Sequence, residues 1–137
     1  MINSKAKGSA FERKIVNLLK EFVKDNNANV HISRNFEQNF KQGQCDINFL
    51  NYAIECKFYK EGDMYKKEWW KQVCDSAEER IPVLVFKFNR RPIRVVLPFW
   101  AIMPNIEKNN EKVLICLWEH FLDIVKENKI LKAYANT

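Results

Sequence analysis

The residues of this chain best suited to chemistry are two acids and a lysine in neighbouring apolar segments: Asp46 in Asp46–Leu50, and Glu55 and Lys57 in Ala53–Phe58. An acid two positions before a lysine is a cheap pattern, with about two expected by chance at this composition. Three occur, at Glu12, Glu55 and Glu127, and of these only Glu55 with Lys57 falls in an apolar strand. A two-residue turn at Asn51 and Tyr52 would set Asp46 opposite Lys57 and Asn48 opposite Glu55. Side chains alternate along a strand, so Asp46, Glu55 and Lys57 then share one face, while Ile47, Phe49, Ile54, Cys56 and Phe58 share the other. The two carboxylates become diagonal neighbours with Cβ atoms somewhat under about 8 Å apart, a gap that one cation can close. Hard oxygen ligands with room for water suit magnesium or manganese, and a lysine beside the ion can orient a water or stabilise charge on a phosphate. An ordinary salt-bridged, solvent-facing strand would show the same three residues.

Glu12 adds a third acid. On a helix from Ser9 to about Lys24, Glu12, Val16, Leu19 and Val23 form one stripe, which puts a carboxylate on the inward side of the helix start. Ser9, Ala10, Phe11 and Glu12 also spell a capping box, in which Glu12 would bond the Ser9 amide. One rotamer cannot serve both, and the metal or its bound water is favoured over the cap.

Around these residues the pattern runs helix, strands, helix, strands, helix. Gly8 marks the break before the first helix, whose apolar positions are Phe11, Ile15, Leu18, Leu19 and Phe22. Val30 to Ser33 reads as a short strand and Glu37 to Gln44 as a polar loop. Tyr65, Trp69, Val73 and Ala77 predict a second helix that ends before Pro82 and carries Lys66, Lys67 and Lys71 on its other faces. Val83 to Phe88 and Ile93 to Leu97 read as a second hairpin, Glu107 to Lys112 as a loop, Val113 to Cys116 as a further strand, and Trp118 onward as a last helix. This order predicts an α/β sandwich, a mixed sheet with helices on its faces, with α+β as the alternative.

The length of 137 residues fits a single domain, 1–137, and the 47% apolar content is enough for a packed core. The net charge of +6 leans toward polyanionic partners such as nucleic acid. Cys45, Cys56, Cys74 and Cys116 are scattered, with no C-x-x-C pair to build a zinc site, and read as reduced thiols. No apolar run is long enough to span a bilayer and the start lacks a secretion signal, so no membrane role and a cytoplasmic location are expected.

KGSAFER at Lys7 to Arg13, QCDINF at Gln44 to Phe49, AIECKF at Ala53 to Phe58 and the later Gln72 resemble the PD-(D/E)xK nuclease superfamily, and within it the archaeal-type and phage-encoded Holliday junction resolvases. The resemblance covers roughly Lys7 to Phe88. It implies a restriction-endonuclease-like mixed β-sheet flanked by helices. It also implies a metal-dependent site in which Glu12, Asp46, Glu55 and Lys57 match the family's catalytic positions, with Gln72 similar in placement to a glutamine near that site. Asp46, Glu55 and the carbonyl of Cys56, with Glu12 nearby, would hold one or two Mg2+ ions, for which Mn2+ would substitute. The implied protein is a homodimer that cuts four-way DNA junctions in the cytoplasm of a bacterium or a phage-infected host. The sequence departs from the motif at Cys45, which stands where the family usually has proline; that proline shapes the turn and supplies no ligand. Two alternatives stay open: a restriction, nicking or repair nuclease on the same fold, and a DNA-binding module that no longer cuts.

Lys5, Lys7, Arg13, Lys14, Arg34 and Lys41 lie on segments flanking the site and are candidates for gripping phosphates by charge. Arg90, Arg91 and Arg94 at the second hairpin serve DNA or solvate a turn with equal plausibility. Of the adjacent Trp69 and Trp70, one belongs to the core and the other, like Tyr65, is expected partly exposed. His31 and His120 are read as structural.

Overall fold

In a computed structural model, residues 4–35, 45–103 and 105–136 are described. Among these, the elements run α1 (Ser4–Asp25), β1 (Ile32–Arg34), β2 (Ile47–Phe49), β3 (Tyr52–Tyr59), α2 (Lys67–Ala77), β4 (Ile81–Phe88), β5 (Arg94–Pro98), β6 (Val113–Leu117), α3 (Trp118–Glu127) and α4 (Lys129–Ala133). The six strands form one sheet in the order β1-β2-β3-β4-β5-β6. Only β3 and β4 are parallel, and α2 makes the crossover between them; every other neighbour is antiparallel. The mixed sheet with helices on both faces is the architecture the sequence pattern predicts. The loop expected over Glu37 to Gln44 lies outside the described residues.

The sheet's two faces carry separate cores. On one, α1 and α3 lay Ile15, Leu19, Phe22, Phe121 and Val125 over Ile47, Phe49, Tyr52, Ile54, Val83 and Val85. On the other, Trp69 and Val73 of α2 pack on Leu84, Phe86 and Val96, while Ala77 meets Ala53 and Cys45. The central strands are therefore covered on both sides, which suits the apolar runs of β3 and β4.

Four local expectations change. Helix α1 begins at Ser4, so Gly8 lies within it and Ser9 is an interior residue that cannot be an N-cap; the capping box is not formed. The first strand runs Ile32–Arg34, shifted toward the site from Val30–Ser33. The β2–β3 turn consists of Leu50 and Asn51, because Phe49 pairs with Tyr52. Tyr52 is drawn into the strand by burial and by stacking against Phe49, with ring centroids 6.1 Å apart, while Leu50 takes the positive φ of 52° that the turn demands. Tyr65 falls just before α2 and packs on Phe86 rather than starting the helix.

Gly62, in the link from β3 to α2, has φ of +143°, and a Cβ there would run into the buried Phe88 ring. Both the conformation and the space exclude a side chain. Gly62→Ala is expected to cost more than about 1 kcal/mol, read as a lowered urea midpoint with unchanged slope.

Candidate active site

Asp46 sits in the bend just before β2, and its position is tied down from several sides. Its carbonyl accepts a hydrogen bond from the Asn35 amide at 2.9 Å, and its Oδ2 accepts one from the Cys56 amide at 2.8 Å. The pairing of Ile47 with Ile54 carries Asp46 to a place opposite Glu55, not opposite Lys57. The register is thus two residues away from that expected. A shift of two preserves the face each side chain takes, so Asp46, Glu55 and Lys57 still meet on one side. That face is covered rather than solvated: Asp46 is 2% exposed and Glu55 3%.

Two buried carboxyl groups side by side cannot both ionise cheaply. Burial pushes the Glu55 carboxyl up to about 9, and the neighbouring Asp46 charge adds to the rise, against the pull of Lys57. Burial also raises Asp46, opposed by the Cys56 amide, Lys57 and Arg34. Among the described residues, the fully buried Asp46 Oδ1 has no hydrogen-bond donor. Either a proton on Glu55 or a cation would satisfy it.

Glu12 approaches from α1. Its Oε1 accepts a hydrogen bond from Arg34 Nε at 3.0 Å in an ion pair whose side chains are 13% and 14% exposed respectively. Arg34 also bonds Ser9 Oγ, which accepts from Arg13 as well. Burial raises the Glu12 carboxyl and Asp46 raises it further, while Arg34 and Lys57 lower it. Glu12, Asp46, Glu55 and Lys57 therefore share one electrostatic neighbourhood.

The remaining predicted residues are placed differently. Gln72 lies on an exposed face of α2, because Trp69, Val73 and Ala77 take the inward one, and among the described residues its amide has no hydrogen-bond partner. Arg34 turns onto Glu12 and Ser9. Arg13 and Lys14 are exposed on α1. Lys41 lies outside the described residues, as do the side chains of Lys5 and Lys7. Arg94 is half-buried over the Phe86 ring at 4.7 Å, and Arg91 pairs with Asp63 at 3.3 Å. Trp69 is core, stacked on Tyr59 at 4.9 Å, and half-buried Trp70 donates to the Asn110 carbonyl at 2.7 Å. Cys45 and Cys56 are buried free thiols, Cys74 and Cys116 half-buried ones, and both histidines are exposed. No helix among the described residues is long and apolar enough to cross a membrane.

Among the described residues, no group of three or more His, Cys, Asp and Glu side chains is arranged to hold a metal ion. Magnesium does not need a closed cage, since it keeps several waters and is often bound through one or two carboxylates. The unsatisfied Asp46 Oδ1 and the carboxyl beside it are the hard oxygen donors such an ion takes.

The sequence model of the phage PDDEXK endonuclease family matches residues 3–136, nearly the whole chain. The chain belongs to that family. As a member of the phage PDDEXK endonuclease family it is a nuclease of the PD-(D/E)xK type, a class that generally uses divalent metal ions. Its fold is similar to that of Hjc, a Holliday junction resolvase from the archaeal hyperthermophile Archaeoglobus fulgidus. The match has a TM-score of 0.50 at 20% identity and covers 86% of this chain and 98% of that one. No curated protein matches the sequence.

Neither Arg34 as the partner of Glu12 nor Arg80, which braces β2, stands out in the sequence. A basic residue shortly after a helix end is a common cap signal that fits Arg80, but nothing local marks Arg34.

Proposed function

We propose that this protein is a magnesium-dependent, structure-selective DNA endonuclease that acts as a Holliday junction resolvase, cutting four-way junctions as a homodimer. The observation that carries the catalytic reading is the burial of Asp46 and Glu55 together beside Lys57. Burying two carboxyl groups without a matching cation is costly, and such perturbed groups cluster where chemistry is done. The junction reading is supported by motif likeness and by the fold shared with the archaeal resolvase.

Asp46 and Glu55 would hold the ion, for which Mn2+ would substitute. The carbonyl of Cys56 would join them: a residue's N–H and C=O leave a strand on the same edge, and the Cys56 N–H already points at Asp46. Bound there, a divalent cation supplies Lewis-acid activation of water for in-line attack on a phosphodiester. Lys57 balances the carboxylates and orients the attacking water or a non-bridging phosphate oxygen. Arg34 holds Glu12 at the rim of this cluster, where its carboxylate would accept a hydrogen bond from water and help keep the ion. Arg13 and Lys14 lie exposed on the same helix as Glu12 and contact phosphates by charge.

Incubating the protein with a four-way junction, a fork, a linear duplex and a single strand, each with Mg2+ or chelator, tests this reading. Symmetric, Mg2+-dependent nicks confined to the junction are expected. Equal cutting of linear duplex would instead indicate a restriction, nicking or repair nuclease, and no cutting of any substrate would refute the catalytic assignment.

Two further outcomes follow from the same geometry. Lys57→Ala is expected to reduce single-turnover cleavage by about 100-fold or more while junction affinity changes little, as measured by gel shift. Replacing both Arg13 and Lys14 by Ala should flatten the plot of log affinity against log salt by up to about 2. An unchanged slope would remove these side chains from the DNA surface.

A further inference from the structure

Asp46 emerges from a bend whose preceding residue is Cys45, not a φ-restricting proline, so hydrogen bonds must hold its direction. Cys45 is fully buried, and its thiol donates to the Ile47 carbonyl at 3.0 Å, closing the chain around Asp46. Arg80, in the turn between α2 and β4, reaches this bend from the other side. Its Nη1 donates to Asn48 Oδ1 at 2.5 Å and lies 3.6 Å from Cys45 Sγ. The rest of the same guanidinium covers the last carbonyls of α2, with Nη2 on Ser76 at 3.0 Å and Nε on Ala77 at 3.2 Å. Asn48 passes the link on to β1, donating to Ser33 Oγ at 3.4 Å.

A helix cap alone would need only the bonds to Ser76 and Ala77. The additional reach to Asn48 and Cys45 makes one planar, rigid group the strut between α2 and the residues on either side of Asp46. We infer that Arg80 is a positioning residue: through Asn48 and Cys45 it fixes the bend that aims the Asp46 carboxylate at Glu55. Its reach toward Asp46 runs through Cys45, the residue before it, and Asn48 of β2. The inference rests on the reading of Asp46 and Glu55 as the cation-binding pair.

Mn2+ binding by calorimetry, with cleavage as a second readout, tests it in wild type, Arg80→Gln, Asn48→Ala and the double variant, each checked for folding by circular dichroism. Arg80→Gln is expected to weaken Mn2+ binding by about tenfold, in the range seen when groups that orient metal ligands are lost. Its cleavage should recover at high metal concentration. Asn48→Ala should act in the same direction, and the double variant should be no worse than the weaker single one, because both remove the same strut. Arg80→Lys, which keeps the charge but not the planar fork, should recover only part of the affinity. Mn2+ affinity unchanged in folded Arg80→Gln, or losses that simply add in the double variant, would overturn the inference. Wild type that binds no Mn2+ would overturn the cation-binding reading beneath it, an outcome read before any variant is compared.

Discussion

Asp46→Asn is expected to lower cleavage by more than about 100-fold while leaving junction binding intact or tighter. The side chain keeps its size and can still accept the Cys56 amide, so β2 and the bend should fold as before. What disappears is the negative charge that, with Glu55, would hold the cation. Removing a buried charge close to where phosphate must lie also lowers repulsion toward DNA. Single-turnover rates and gel-shift affinities on the same junction read the two effects separately. Cleavage retained at the wild-type rate would exclude this site; binding lost in parallel would show that Asp46 serves structure or DNA contact and not the reaction.

In chelator, the protein should lose stability as pH rises toward 9, and Mg2+ should restore it. Glu55 titrates at about 9 in the folded chain, against an ordinary value of 4.5. Between those values the folded state holds a proton that the unfolded state has released, so stability falls with rising pH, by at most about 1.4 kcal/mol per pH unit for one proton. Below the lower value both states are protonated at this carboxyl and the dependence vanishes. A cation that replaces the proton must compete with it at low pH, so the rise in Tm caused by Mg2+ should be larger at pH 8.5 than at pH 6. Glu55→Gln cannot ionise and should flatten the pH profile in chelator. Asp46→Asn should flatten it in part, since one of the causes holding Glu55 high is then gone. Parallel profiles for wild type and Glu55→Gln would show that this buried carboxyl does not set the pH response.

The two predictions separate the roles of the pair. Asp46 is held by the Asn35 and Cys56 backbone amides, whereas Glu55 is the carboxyl at which a proton would give way to the proposed cation. Lys57 and the Arg34–Glu12 ion pair lie around them in reach of both charges.

What could be read from the chain alone was what depends on local periodicity. The repeat of Ile15, Leu19 and Phe22 on α1, or of Trp69, Val73 and Ala77 on α2, identifies each helix and its inward face, because helical side chains three and four apart must bury together. Alternation along β3 likewise put Glu55 and Lys57 on one face, and that assignment survives a register shifted by two because the strand period is also two. The tertiary structure decided what depends on contacts between distant segments. It moved the β2–β3 turn to Leu50 and Asn51, since burying Tyr52 against Phe49 and Phe121 outweighs the cost of a positive φ at a leucine. It turned Arg34 inward onto Glu12, left Gln72 on an exposed helix face and brought Arg80 across to Asn48. Each of these rests on the packing of segments far apart in the chain, where the energy of bringing two groups together has no signature in the spacing of either one.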